Sequence, residues 1–144
     1  MTLKLSATEV TEFLSQVFPQ VKNDFTIESL EDMRSTVRLN VGDRHLRPGG
    51  TVSGPAIFAL ADVAFYITLL GMIGREALTV TTNCAIDFMR KPAANTDLIA
   101  ESRVLKLGRS LAVGDVLIFS DGMTEPVARA SLTYAIPPVR TSQP

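Results

Sequence analysis

The sequence is poor in the residues from which disulfide frameworks and metal centres are built. Its 144 residues include one cysteine, Cys84, one histidine, His45, and no tryptophan. A disulfide within the chain is therefore excluded, and a His/Cys metal site would be short of ligands. We expect no metal and no resident cofactor. We assign no role to either residue, because a lone loop histidine is usually solvent-facing and Cys84 lies on the apolar side of its strand.

The sequence also lacks a large excess of charge of one sign and a secretion signal. The formal net charge is −1, so no broad basic surface is available to bind nucleic acid. Residues 1–5 lack the long apolar run of a signal peptide. We therefore expect a cytoplasmic protein that does not bind nucleic acid.

One long apolar run is present, at residues 56–73 (AIFALADVAFYITLLGMI). It is nearly long enough to cross a bilayer, but Asp62 near its middle would cost about 3 kcal/mol in lipid. The rest of the chain alternates between apolar and polar residues, as half-buried strands do. A helix that is apolar on all sides is usually buried. We interpret the run as the core helix of a protein that does not span a membrane.

The remaining patterns predict one domain over residues 1–144, with a short helix, the long helix and six strands. Ser6 and Glu9 have capping-box spacing and begin the short helix, which we expect to end near Pro19. Ser53 is a good N-cap for the long helix, which ends near Gly71 or Gly74. Alternation predicts strands at residues 25–30, 33–41, 79–89, 96–107, 110–120 and 127–136. Residues 137–144 are expected to be disordered. One apolar helix against antiparallel strands is a two-layer α+β domain.

The loop and helix at residues 47–63 (RPGGTVSGPAIFALADV) carry a resemblance. They resemble the phenylacetic-acid-degradation branch of the hotdog-fold acyl-CoA thioesterases, whose pattern is N-x-x-G-x-x-H-G-G-x-x-x-x-L-x-D. Gly50, Gly54, Leu60 and Asp62 fall on that pattern, and residues 79–92 and 106–111 also look like the family. The resemblance covers about residues 41–136. It implies a hotdog fold, in which a curved antiparallel sheet wraps the long helix, and hydrolysis of an acyl-CoA thioester.

Three residues depart from the family's pattern. Arg47 stands in place of the asparagine, Ser53 in place of the histidine and Pro55 in place of the second glycine. These departures leave open an alternative function, in which a hotdog protein binds acyl-CoA or a related ligand without turnover.

Two residues of the long helix are the main catalytic candidates. Asp62 is a lone acid in an apolar helix, and burying it charged and unpaired would cost several kcal/mol, so it either has a structural partner or acts as a base or nucleophile. The resemblance implies the second role. It also implies that the Gly54 N–H, at the positive end of the helix, polarises the thioester carbonyl; otherwise Gly54 only permits close packing.

Further site residues follow from the resemblance, each with a plainer alternative. Thr81 would orient the attacking water or serve only as a strand former. Ser53 would contact substrate or only cap the helix. Arg47 and Gly50 lie in the loop that would contact the substrate. The phosphates of CoA would be bound by residues at strand ends and a hairpin, which are otherwise solvated: Arg90, Lys91, Lys106, Gly108, Arg109 and Ser110.

The spacing of the catalytic candidates along the long helix indicates the oligomeric state. Ser53 and Asp62 are separated by about 13 Å of helix, so Asp62 is too far from its own Gly54 for both to touch one thioester group. We therefore expect a homodimer with antiparallel helices that shares each active site, assembling further to a tetramer. The resemblance implies the same dimer, joined edge to edge through its sheets.

Overall fold

Six antiparallel strands form one curved sheet around a long helix in the computed structural model, which describes residues 2–138. The strand order is β1-β2-β4-β5-β6-β3. The helices are α1, Ala7–Val17, and α2, Gly54–Ile73; the strands are β1, Phe25–Glu31; β2, Arg34–Leu39; β3, Val80–Phe88; β4, Leu98–Leu107; β5, Leu111–Ser120; and β6, Pro126–Ala135. Short 3-10 turns cover Pro19–Val21 and Asp43–His45. The predicted hotdog architecture, with its short N-terminal helix, is confirmed.

Helix α2 is the centre of the core. The side chain of Ser53 accepts a hydrogen bond from the Ala56 N–H, as an N-cap residue does. The helix is apolar enough to cross a membrane, with a mean hydropathy of 2.1, yet 72% of its most apolar stretch is buried inside the structure. Phe65 shows how closely it packs, because a Cβ on Gly114 of β5 would lie 2.2 Å from its ring. These contacts support the core interpretation of residues 56–73.

Buried hydroxyl groups set the position of α2 on the sheet. Thr68 donates to Ala64 O at 2.9 Å, as an i to i−4 bond. Its hydroxyl also lies 2.8 Å from Ser35 Oγ on β2 and 2.9 Å from Ser102 Oγ on β4. All three hydroxyl-bearing residues are buried. A buried polar group is tolerated only when it is hydrogen-bonded, so the helix is held at the one position that satisfies all three.

Helix α1 begins where the capping box predicts. Ser6 accepts from the Glu9 N–H while the Glu9 carboxylate accepts from the Ser6 N–H. Its buried residues, Val10, Phe13 and Leu14, join the same core. The helix ends at Val17, just before Pro19 as expected.

Two strand bounds differ from the predictions by more than one residue, each for a local reason. β2 ends at Leu39 and not at Val41, because the Val41 N–H donates to the Asp97 carboxylate at 2.9 Å. β4 begins at Leu98 and not at residue 96, because Asn95, with φ of 52°, forms a turn. The predicted disorder of residues 137–144 falls largely on residues 139–144, which lie outside the described residues.

Candidate active site

The Asp62 carboxylate is held by two hydroxyl groups from the sheet. Thr81 of β3 and Tyr134 of β6 both donate to Oδ1, each at 2.6 Å. The Tyr134 hydroxyl also lies 3.0 Å from the Asp62 carbonyl oxygen. No donor between residues 2 and 138 reaches Oδ2. One carboxylate oxygen is therefore fixed, and the other is available to water or substrate.

A bulge in β3 brings Thr81 to Asp62, which corrects the simple alternation predicted for this strand. Alternation puts Thr81 on the face opposite Cys84. The register shifts between Thr81 and Asn83, however, so Thr82 is an extra residue and Thr81 pairs directly with Tyr134. Directly opposed residues share a face of the sheet, so Thr81 and Cys84 both point toward α2. Val80, which simple alternation puts on the same face as Cys84, is 53% exposed.

Tyr134 is the site residue that the sequence interpretation missed. Burial and, next, the charge of Asp62 raise the pKa of its phenol, so the hydroxyl stays protonated as a donor. The Tyr66 ring stacks on it at 6.2 Å between centroids, and the Phe65 ring packs at 5.3 Å. The signal was present in the sequence, because Tyr134 is the polar-tipped residue on the inward, apolar side of its strand.

Gly54 lies at the other end of the site, at the first position of α2. Its N–H donates to no residue between 2 and 138, whereas the Ala56 N–H is used by the cap at Ser53 Oγ, 3.3 Å away. Within the described residues, the half-buried Gly54 therefore has an unpaired N–H at this helix end. Ser53 has the plainer role considered for it, that of the cap.

A cavity of about 420 Å³ opens beside Gly54. Three of the predicted cationic ligands line it together, namely Arg47, Arg90 and Lys91. The Phe88 ring forms another wall. Gly50 lies outside this cavity, in a turn closed by a 3.1 Å bond from its N–H to Arg47 O, with φ of 81°. Its observed role is to permit that turn.

The other predicted CoA ligands lie at the opposite end of the sheet. Lys106, Gly108, Arg109 and Ser110 form the β4–β5 hairpin, which is tied to the end of β6 by a 2.8 Å bond from Ile136 N to Ser110 O. This end of β6 pairs with the start of β3. Arg90 and Lys91, by contrast, follow the end of β3. Nine residues of strand span about 26 Å. One chain therefore does not bring the two basic groups together.

A second cavity, of about 320 Å³, lies over the exposed face of α2. Asp62, Phe58 and Ala59 form one side of it, and Asp24 and His45 lie on the other. The expectation that His45 faces solvent is wrong, since the residue is 7% exposed. Its Nδ1 accepts a hydrogen bond from the Gly42 N–H at 2.9 Å, which draws the ring inward.

Cys84 lies near the site but is poorly suited to act as a nucleophile. It is half-buried on the inner face of β3. Burial and, to a smaller extent, the charge of Asp62 raise the pKa of its thiol. A protonated thiol is a weak nucleophile, so Cys84 is poorly suited to attack a thioester.

Solved structures share this architecture. A candidate thioesterase of Silicibacter sp. TM1040 is 56% identical, with a TM-score of 0.90 over 96% of each chain. A protein of Streptococcus mutans, solved bound to acetyl-CoA, is 24% identical, with a TM-score of 0.71 over 83% of this chain and 93% of its own. At that identity the second comparison shows a common fold.

Sequence comparison points the same way. A candidate esterase of Saccharolobus solfataricus is 29% identical over 136 residues, covering 92% of this chain and 86% of the relative. The pattern of the thioesterase superfamily matches residues 49–127, more than half of the chain. The protein therefore belongs to the thioesterase superfamily.

Proposed function

We propose that the protein hydrolyses an acyl-CoA thioester to the free acid and CoA. The observation that carries the proposal is the Asp62 carboxylate, which projects from an apolar helix with Oδ1 held by two hydroxyls and Oδ2 open. A fixed carboxylate with one unoccupied oxygen is suited to take a proton from water or to attack a carbonyl carbon directly.

The hydroxyl groups around Asp62 have a defined task in this scheme. Thr81 and Tyr134 both donate to Oδ1 and so hold the carboxylate in one orientation. Thr81 Oγ1 retains a lone pair that can accept a hydrogen bond from the attacking water. The Gly54 N–H, at the positive end of α2, stabilises the oxyanion that forms on the thioester carbonyl.

These groups act together in a homodimer. Within residues 2–138, strand β3 is an edge strand that pairs only with β6. Exposed apolar residues lie along and beside it, including Leu78 at 66% and Phe88 at 54% exposure. Such an edge favours pairing with another chain. Antiparallel pairing of β3 with a second copy places the start of one strand beside the end of the other.

That pairing completes the site. Thr81 and Asp62 meet near the start of β3, whereas Gly54 lies near its end, where an added Cβ would be 3.6 Å from the Phe88 ring. In the dimer, Asp62 of one subunit therefore approaches Gly54 of the partner subunit. A tetramer would be two such dimers.

The same dimer unites the two basic groups. The cavity lined by Arg47, Arg90 and Lys91 receives the hairpin of the other subunit at its edge, with Lys106 and Arg109. Charge-assisted bonds from these side chains suit the phosphates of CoA. Acetyl-CoA is bound by the Streptococcus mutans protein of the same fold, which supports this substrate class. We also propose the phenylacetic-acid-degradation branch and a cytoplasmic location.

Ligand binding without turnover is the second candidate. The cap at Ser53 favours it, because Ser53 occupies the position of the family's histidine and its hydroxyl is already engaged with the Ala56 N–H. A panel of short, medium, aromatic and long-chain acyl-CoAs, assayed for thiol release, separates the two. Binding of CoA thioesters with no release from any of them would favour this candidate.

Replacing Asp62 tests the catalytic role proposed for its carboxylate. Asp62→Asn should fold as the wild type does and lose about 10²–10⁴ in kcat, the usual effect of losing a general base. Asp43→Asn, at an exposed acid in a nearby turn, should keep full activity. If the folded Asp62→Asn variant retains more than a tenth of wild-type kcat, the proposed role of Asp62 is wrong.

A further inference from the structure

The cavity beside Asp62 has an apolar body and a polar end. Phenyl rings of Phe18, Phe25 and Phe58 surround its volume of about 320 Å³, which is within the range of small-molecule sites. The polar end is formed by Asp24 and His45. Under the proposed function, an acyl group whose carbonyl lies at Asp62 extends into this cavity.

The hydrogen bonds of His45 determine which ring atom carries its proton. Nδ1 accepts from the Gly42 N–H and is therefore unprotonated, so the proton of the neutral ring is on Nε2. Burial and, next, the positive charge of Arg44 lower the pKa of the imidazole. At neutral pH the ring is uncharged and presents one N–H donor at Nε2.

Asp24 offers the complementary acceptor. Its Oδ1 is paired with Arg44, while its Oδ2 lies 3.6 Å from His45 Nε2. That separation is too long for a direct N–H···O hydrogen bond. A hydroxyl oxygen about 2.8 Å from both atoms fits the gap: it accepts from Nε2–H and donates to Oδ2. An unsubstituted hydrocarbon end would leave both groups without that partner.

We propose that His45 and Asp24 form a specificity site for acyl groups that end in a hydroxyl group. The inference rests on the proposed function for the position of the carbonyl, but the site is also expected to bind free hydroxy acids. Selectivity of about tenfold over the matched acid without the hydroxyl is expected, because the buried donor of His45 and the partly buried acceptor of Asp24 lose their partner in the second case.

Binding can be measured without catalysis, because His45 is the chain's one histidine and its ring signals in an NMR spectrum need no assignment. The probes are two pairs of free acids: 6-hydroxyhexanoate with hexanoate, and 3-(4-hydroxyphenyl)propanoate with 3-phenylpropanoate. At least one hydroxylated acid should bind about tenfold tighter than its partner and shift the Nε2 signal. Equal affinities in both pairs would overturn the inference.

Variants separate the site from the cavity as a whole. His45→Phe and Asp24→Ala should each abolish the preference for the hydroxylated acid while leaving binding of the plain acid nearly unchanged. Asp24→Ala removes the acceptor but not the bond between Gly42 and His45, so it tests the inference if His45→Phe fails to fold. Asp43→Asn, in the same turn as His45 but away from the cavity, should keep the preference. A preference that survives in folded Asp24→Ala overturns the inference.

Turnover distinguishes this inference from the proposed function. If 6-hydroxyhexanoyl-CoA is hydrolysed with a kcat/KM about tenfold above that of hexanoyl-CoA, both stand. If both thioesters are hydrolysed equally, the specificity site is wrong and the hydrolase stands. If neither of these two thioesters nor any acyl-CoA of the wider panel is hydrolysed but the hydroxylated acids bind selectively, the specificity site stands and the proposed hydrolase activity is wrong.

Discussion

Tyr134 links the sheet to the chemistry of Asp62. Its phenol and the Thr81 hydroxyl converge on the same carboxylate oxygen, so the two hydroxyls fix the orientation of the group. In the proposed reaction Tyr134 is a positioning residue that acts through Asp62.

Removing the Tyr134 hydroxyl should slow turnover. Tyr134→Phe takes away one of the two donors that hold Oδ1 of Asp62, so the carboxylate is less firmly oriented toward the reacting atoms. We expect about a tenfold loss of kcat with little change in KM. Steady-state measurement of kcat and KM checks this. Tyr66→Phe is the control, because its hydroxyl contacts Ala77 O and not Asp62; an equal loss of kcat in that variant would contradict the assignment.

At the scale of elements, the position of α2 on the sheet decides where Asp62 and Gly54 lie. The buried hydroxyls of Thr68, Ser35 and Ser102 join the helix to β2 and β4. Apolar packing alone is tolerant of small displacements, whereas hydrogen bonds at 2.8–2.9 Å are not. The cluster therefore positions the helix that carries Asp62 and Gly54 as well as stabilising it.

Thr68→Val should lower the free energy of unfolding by about 1–3 kcal/mol, because Ser35 and Ser102 lose a buried partner. Denaturant unfolding measures the loss. Thr11→Val is a matched control, since Thr11 also donates to the carbonyl four residues earlier but is exposed. It should change stability by less than about 0.5 kcal/mol. Similar losses in both variants would show that the buried cluster contributes nothing beyond the helix-internal bond.

At the scale of the whole molecule, the proposed active site needs two chains. Asp62 and Gly54 line different cavities of one subunit, and β3 runs between them with its outer edge unpaired within residues 2–138. In the proposed dimer, a two-fold axis near the middle of β3 brings each Asp62 toward the other subunit's Gly54. Each monomer would then contribute half of each of two sites.

Subunit exchange tests the shared site. Asp62→Asn and Gly54→Pro should each be inactive, because the first loses the base and the second loses the N–H donor. A random mixture should regain about a quarter of wild-type sites, since half of the dimers are hybrids with one intact site each. Gly54→Ala is the control and should stay active, because its Cβ fits at 3.6 Å from Phe88 and its N–H remains. An active monomer, or no recovery after demonstrated exchange, would refute the model.

The sequence by itself determined the fold, because local signals and burial agree in it. Ser6 with Glu9 and Ser53 began both helices where predicted, and period-two alternation located all six strands. The lone acid in the apolar helix also identified Asp62 as a candidate. These features depend on residues close together in the sequence and on the periodicity of helices and strands, so they can be recognised in the sequence alone.

The tertiary structure decided what surrounds Asp62. The bulge at Thr82 turns Thr81 toward the helix, a change that alternation does not predict. Tyr134 lies 72 residues from Asp62 in the chain but donates to its carboxylate, and His45 is buried because the Gly42 N–H binds its ring. Such contacts depend on register between distant segments. One extra residue in one strand reverses which face a side chain occupies, so only the folded sheet determines them.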